Sequence, residues 1–396
     1  MNKFILDLGK QPFANNYLVK FKQNQIKYNL KLFYDTKTKL VSISKRISSK
    51  KIFNKNYPYK SSMSKTMQRS FSDLSKEIKK RFDPKLSLEI GSNDGALIKN
   101  FNNKKIIGIE PCLNLAKITR KNGYITYSDY WNYATAKKLK KKYTSFNLIY
   151  SANTITHIND LNSVFKSISY ILSKKGVLII EDPSLLECIK KVSYDQFYNE
   201  HVYVFSALAL KNLLKKYNFE IFDIKNLKTH GGSLRYYIKR INNKNYKVKQ
   251  SVQNQIKREK IFGLNSLKTY KKFANNTNQS KEKLLKILKN IRKNNEIVVG
   301  YGATAKASTV LNYCNIDKSL IKFFVDTTPD KQNKYMPGKN IKILKYNSKL
   351  LKNINYLFLG AWNFKDEIFH KEKKFIKMGG SFITHVPMPK IIKNKN

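Results

Sequence analysis

The chain has 396 residues, with 78 Lys or Arg against 26 Asp or Glu and a formal net charge of +52. That length gives room for two or three domains and a sizeable core, and 41% hydrophobic with 13% aromatic residues excludes a disordered polycation. No apolar run approaches the roughly 20 residues that span a bilayer, and Asp7 and Pro12 interrupt the opening where a signal peptide needs an apolar stretch, so the chain reads as soluble and cytoplasmic.

Residues 1–65 hold short strand-like runs at Asn29–Phe33 and Leu40–Ile43, and are expected to form a small N-terminal β lobe. Met67, Phe71, Leu74 and Ile78 recur at helical spacing and predict a helix over 66–82. Strand and helix patterns then alternate: strands at Leu86–Ile90, Lys105–Ile109, Asn147–Ser151 and Gly176–Glu181, helices at 95–102, Leu113–Asn122 and 160–173. Such alternation predicts a parallel sheet with crossover helices. Phe219–Leu227 and Ser233–Ile241 read as two further strands and complete a domain over 66–242. Residues 243–294 are polar, Lys-rich and helical in pattern, as in a connector. A second strand–turn–helix unit, Glu296–Val299 followed by Gly300-Tyr-Gly302, opens another α/β domain over 295–396, with strands at Ile321–Val325, Tyr356–Gly360 and Ser381–Val386. The fold class is therefore α/β: a central Rossmann-like domain, a small β lobe before it and a second Rossmann-like domain after it.

The densest chemistry lies in Ser87-Leu-Glu-Ile-Gly-Ser-Asn-Asp-Gly95. A buried strand runs into Gly91, a short polar turn, then Gly95 at a helix start, where glycines admit a close ligand. The next strand ends at Glu110-Pro111, about 20 residues on, where doubly wound folds place a carboxylate on ribose hydroxyls. A dinucleotide's pyrophosphate would be repelled by Asp94. S-adenosylmethionine carries an ammonium and no phosphate, so Glu89 or Asp94 is favourable to it. A Gly-rich structural turn with a surface acid is the bland alternative.

At this point the sequence resembles a known family. Glu89–Gly95, Gly108-Ile-Glu-Pro111 and Asn153-Thr-Ile-Thr-His-Ile-Asn-Asp160 are similar to the class I methyltransferase core of the sugar C-methyltransferases, three-domain enzymes that act on nucleotide-linked 4-keto deoxyhexoses. The likeness continues through Tyr57-Pro-Tyr-Lys-Ser-Ser62, Tyr198-Asn-Glu-His201, His230-Gly-Gly-Ser-Leu-Arg235, Gly300-Tyr-Gly-Ala303, Pro337-Gly338 and Ala361-Trp-Asn-Phe364, nearly the whole chain. The expected cofactor set is Glu89, Gly91, Asn93, Asp94, Gly95, Glu110, Pro111 and Asn153, holding S-adenosylmethionine.

His157 follows a strand end, where ligands sit in open α/β sheets, though a structural hydrogen-bonding role fits that position equally. Glu200-His201 lies among Phe197, Tyr198, Tyr203 and Phe205, and an acid beside an imidazole in apolar surroundings raises its basicity. A hydrogen-bonded pair at a domain junction is the structural reading. Methyl transfer to carbon needs a base for a C–H next to a ketone and donors for the enolate oxygen. The resemblance implies His201 as the base, with Tyr198, Glu200, His157 and either Tyr57 or Tyr59 around the sugar; of the two, Tyr59 is favoured. Ser62 belongs to the same tyrosine-bearing motif and is assigned to the substrate. Arg235 could fork onto a diphosphate, and Lys306, at a helix start, could meet an anion. The second Gly-x-Gly serves as well as a structural turn.

Family members carry N-terminal zinc cysteines, but here Leu32–Leu40 has none, and Cys112, Cys188 and Cys314 are odd in number and far apart. No metal is therefore expected. Position 199 is Asn where the family often has His. The expected activity is C-methylation of a nucleotide-linked keto-deoxysugar in polysaccharide or branched-sugar synthesis. Alternatives are O- or N-methylation of a related sugar, a non-catalytic scaffold, and a basic nucleic-acid methyltransferase or binding protein. Against a specific nucleic-acid partner, only eight of the basic residues are Arg and the lysines are dispersed, mixed with Asn and Ile.

Overall fold

The computed structural model describes residues 1–44 and 47–393. Its first sheet is antiparallel and built from β1 (Asn2–Gln11), β2 (Tyr28–Asp35) and β3 (Val41–Ile43). Leu30, Leu32 and Tyr34 alternate inward along β2, the period-two pattern of a half-buried strand. The long strand β1 carries no comparable sequence signal, because Asp7, Gly9 and Lys10 interrupt its alternation.

The central sheet comprises β4 (Ser87–Ile90), β5 (Ile106–Ile109), β6 (Thr126–Tyr127), β7 (Phe146–Ala152) and β8 (Leu172–Pro183). After the short β9 (Tyr203–Val204) come β10 (Phe219–Leu227) and β11 (Ser233–Arg240), and the sheet order is β10-β11-β8-β7-β4-β5-β6. Every residue of β4 and β5 is buried, as covered interior parallel strands require. The helix predicted over 66–82 is Lys65–Phe82, capped by Ser64 through Met67 N–H and burying Met67, Phe71, Leu74 and Ile78. The expected helix at 95–102 is reduced to a single 3-10 turn, Ile98–Asn100. The helix Tyr133–Tyr143 was not legible, because its buried face is only Thr135, Ala136 and Leu139 amid lysines.

β9 lies outside this sheet: it pairs with β3, Val41 against Val204, and is the fourth strand of the N-terminal sheet. The stretch read as a polar connector forms helices Gln250–Phe262 and Leu267–Lys293, and it is packed rather than loose. Tyr270, Phe273, Leu284, Leu288 and Ile291 are buried, and Glu259 caps the helix at Ala207–Leu214 through the N–H groups of Ala207 and Leu208, each at 2.9 Å.

The last sheet comprises β12 (Val298–Tyr301), β13 (Phe324–Asp326), β14 (Ile343–Lys345), β15 (Tyr356–Leu359), β16 (Ser381–Thr384) and β17 (Lys390–Ile392), in the order β14-β13-β12-β15-β16-β17. It repeats the central order β6-β5-β4-β7-β8-β11 strand for strand, parallel throughout except for the last, antiparallel pair. The fold is a small β lobe and two Rossmann-like α/β domains. No helix among the described residues is long and apolar enough to cross a membrane.

Candidate active site

A cavity of about 500 Å³ opens where the three sheets meet, at the C-terminal ends of β4, β5 and β7. That is the usual ligand position in an open α/β sheet. Glu89, Gly91, Asn93, Glu110, Pro111 and Asn153 all line it. Gly91 has φ +78°, and a Cβ there would stand 2.1 Å from Thr154 Oγ1, so only glycine fits. Asn93 donates its backbone N–H to Glu110 Oε2 at 2.8 Å, and Cys112 donates its own to Oε1 at 2.8 Å. Together they fix the carboxylate at the strand end.

Burial, then the neighbouring Glu110 and Asp94, push the Glu89 carboxyl well above the ordinary range. Burial raises Glu110 as well, against the N–H bonds from Cys112 and Asn93. Glu89 Oε2 is enclosed without a partner. A buried, crowded acid pair is relieved by a cationic ligand, so this end of the cavity fits the ammonium and sulfonium of S-adenosylmethionine. Two residues expected on the ligand turn elsewhere: Asp94 and Gly95 do not line the cavity, and Asp94 accepts the N–H and hydroxyl of Ser62. Ser62 therefore secures the turn instead of facing the cavity, which corrects its assignment to the substrate.

Much of the remaining lining is aromatic. His157 comes from the 3-10 turn after β7, and its ring stacks on His201 at 4.9 Å and on Phe53 at 5.6 Å. Tyr198 lies 4.0 Å from the His201 ring centroid. The Nδ1 of His201 is 2.6 Å from the carbonyl oxygen of Gln196. A carbonyl only accepts, so Nδ1 carries the proton and Nε2 holds the free lone pair. Burial, then the adjacent His157 ring, holds His201 well below its ordinary pKa against the opposing bond to Gln196, and burial alone takes His157 to about 4. Both rings are neutral at neutral pH.

The acid–imidazole pair expected from the adjacency of Glu200 and His201 does not form. Glu200 instead accepts the Tyr57 hydroxyl at 2.6 Å and Asn15 Nδ2 at 2.8 Å, and lies behind the cavity wall. Burial raises its pKa to about 7, although both hydrogen bonds oppose this. Tyr57 and Tyr59 both line the cavity, but Tyr57 commits its hydroxyl to Glu200. Asn199 also finds its partners in the N-terminal lobe, donating Nδ2 to Pro12 O at 3.0 Å and to Gln11 O at 3.4 Å.

Lys306 lines the cavity beside Asn363, buried over the Trp362 ring. Arg235 does not: its guanidinium is filled by Glu181 at 2.9 Å and Glu77 at 3.3 Å, in the interior between β11 and the helix Lys65–Phe82. This corrects its assignment to a diphosphate, since its donors are already spent on carboxylates. Residues given no role from the sequence include Asn15, Gln196, His230 and Lys331, which line the same cavity. His230 carried the available signal, heading a His-Gly-Gly turn; its own backbone is left-handed at φ 54°, ψ 20°.

Among known proteins, the methyltransferase domain family matches residues 59–224, and the C-methyltransferase C-terminal domain family matches residues 228–387. The chain is 28% identical over 312 residues to the C-methyltransferase NovU of Streptomyces niveus, covering 78% of this chain and 74% of NovU. A methyltransferase structure from Thermotoga maritima, described as a possible histamine N-methyltransferase, aligns over 43% of this chain and 89% of its own, at 21% identity and TM-score 0.32. Magnesium protoporphyrin IX methyltransferase of Synechocystis, solved with bound S-adenosylmethionine, aligns over 44% and 79%, at 10% identity and TM-score 0.32. The two family models match successive parts of the chain, which is an S-adenosylmethionine-dependent methyltransferase similar to the C-methyltransferases.

Proposed function

We propose that the enzyme methylates a carbon next to the ketone of a nucleotide-linked keto-deoxysugar, by way of an enolate. The observation that carries this reading is His201, whose Nδ1 lies 2.6 Å from the Gln196 carbonyl oxygen and so leaves Nε2 unprotonated, in the same cavity as the acids Glu89 and Glu110. S-adenosylmethionine supplies the electrophilic methyl group when bound. Nε2 of His201 takes the proton from the carbon, and the Gln196 carbonyl keeps Nδ1–H in place as the ring becomes cationic. Tyr198, His157 and Tyr59 face the sugar, where hydroxyl and ring N–H groups suit the growing charge on the enolate oxygen. Glu200 acts behind them by fixing Tyr57 and Asn15. Lys306, at the start of the helix Ala305–Tyr313, and Lys331 give the third wall the positive charge that a diphosphate needs. This work belongs in the cytoplasm, where nucleotide sugars are made and used.

A thermal-shift screen of nucleotide sugars, with and without S-adenosylhomocysteine, should show stabilisation only by keto sugars. With such a ligand, the protein should exchange the proton beside the ketone for solvent deuterium. Methyl found on oxygen, with no exchange, would sink the proposal.

A further inference from the structure

The turn that holds His201 is anchored in the other α/β domain. Tyr194–Gln196 is a single 3-10 turn. Its middle residue, Asp195, is fully buried; Oδ2 accepts the indole N–H of Trp362 at 2.6 Å and lies 3.1 Å from His385 Nε2. Trp362 follows β15 and His385 follows β16, so both partners stand at the C-terminal ends of parallel strands of the last sheet. Tyr194 packs its ring on His385 at 5.8 Å and on Tyr313 at 5.3 Å, and its hydroxyl is 3.5 Å from Cys314 Sγ. The whole turn is thus seated in the C-terminal domain.

The next residue faces the reaction. Gln196 uses its backbone oxygen to take Nδ1–H of His201 and its side-chain Nε2 to bond His230 O, each at 2.6 Å. Trp362 also meets the His230 turn, since a Cβ on Gly231 would lie 2.3 Å from its ring. Burial alone would raise the Asp195 carboxyl, but His385, Lys306 and the Trp362 indole outweigh it and keep it ionised. A buried charge of this kind holds its place only while its partners do.

We infer that Asp195, His385 and Trp362 are positioning residues, through which the C-terminal domain sets the orientation of His201 by way of Gln196. The inference rests on the reading of His201 as the base. When Asp195 loses its partners the turn is free to rotate, and Gln196 O moves off the line of Nδ1–H.

The test uses the full chain, labelled with 15N-histidine, and turnover of CDP- and dTDP-linked 4-keto-6-deoxyhexoses. Asp195→Asn and Trp362→Phe are each expected to lower kcat by up to about 100-fold, as a misplacement of roughly 1 Å can. KM for S-adenosylmethionine and the melting shift given by S-adenosylhomocysteine should not change. The His201 Nδ1–H signal, identified by its loss in His201→Asn, should broaden and exchange faster with water. His385→Gln, which keeps an N–H donor, should retain more kcat than His385→Leu. Should Asp195→Asn fail to fold, Trp362→Phe and the two His385 variants decide the question. Folded variants with an unchanged His201 signal, or with kcat within about threefold of the parent, would overturn the inference. If His201→Asn itself keeps its turnover, the base reading falls, while the resonance still reports whether the clamp orients the ring.

Discussion

The hydroxyl of Tyr57 reaches Glu200 Oε2 at 2.6 Å and joins the N-terminal segment to the loop that carries His201. Asn15 binds the other oxygen of the same carboxylate at 2.8 Å. Glu200 thus turns away from the neighbouring His201 and holds the lobe against the cavity.

Replacing His201 by Asn should lower kcat by about 10²–10⁴-fold, the range for losing a general base. Calorimetric affinity for S-adenosylhomocysteine should be unchanged, because His201 is not among the residues proposed to hold the cofactor. A variant that keeps most of its kcat would remove His201 from the mechanism.

Glu89→Gln separates ligand binding from stability. The variant should bind S-adenosylmethionine about tenfold to a hundredfold more weakly, through loss of a charge-assisted contact worth roughly 1.5–3 kcal/mol. The ligand-free protein should melt higher than the parent, because Glu89 is crowded by Glu110 and Asp94 in a buried place. Lower melting together with unchanged affinity would refute the cation-relief account of the donor pocket.

Glu200 gives a pH dependence of definite sign. Folded, it holds its proton up to about pH 7, while an unfolded chain releases it near about pH 4.3. Between those values the folded state binds more protons than the unfolded one, so this group's contribution to stability falls as pH rises. The unfolding free energy of the parent minus that of Glu200→Gln should therefore decrease from about pH 4.5 to about pH 7. Denaturant titrations of both proteins across that range measure it, and a difference that rises or stays flat contradicts the assignment.

Arg235→Met should cost about 3–5 kcal/mol of stability, because Glu181 would be left buried without its partner. KM for the nucleotide sugar should not move in protein that remains folded. A raised KM at unchanged stability would return Arg235 to the substrate.

Much of this was legible because the chemistry lies in local order. Glu89, Gly91 and Glu110 fall at strand ends in a spacing that only a doubly wound sheet brings together. The apolar periodicity of Met67, Phe71, Leu74 and Ile78 names the buried face of their helix directly. What the sequence hides is direction and distant pairing. Glu200 and His201 are neighbours whose side chains part company, one towards Tyr57 and the other towards the cavity. Arg235 looked like a free fork because its partner Glu77 stands 158 residues away. Asn199 had no evident purpose until Gln11 and Pro12 were found beside it.

The pairing of Val41 with Val204 sets the order in which the chain can finish folding. During synthesis β1, β2 and β3 emerge first, yet their sheet waits for a strand made only after the central β4–β8 series has emerged. Closing so long a loop belongs to the slow, non-local class of folding events. Until then β3 is an open edge. A chain cut before residue 203 would expose that edge to other chains, and one begun after residue 43 would lack the strand that β9 joins, just past His201.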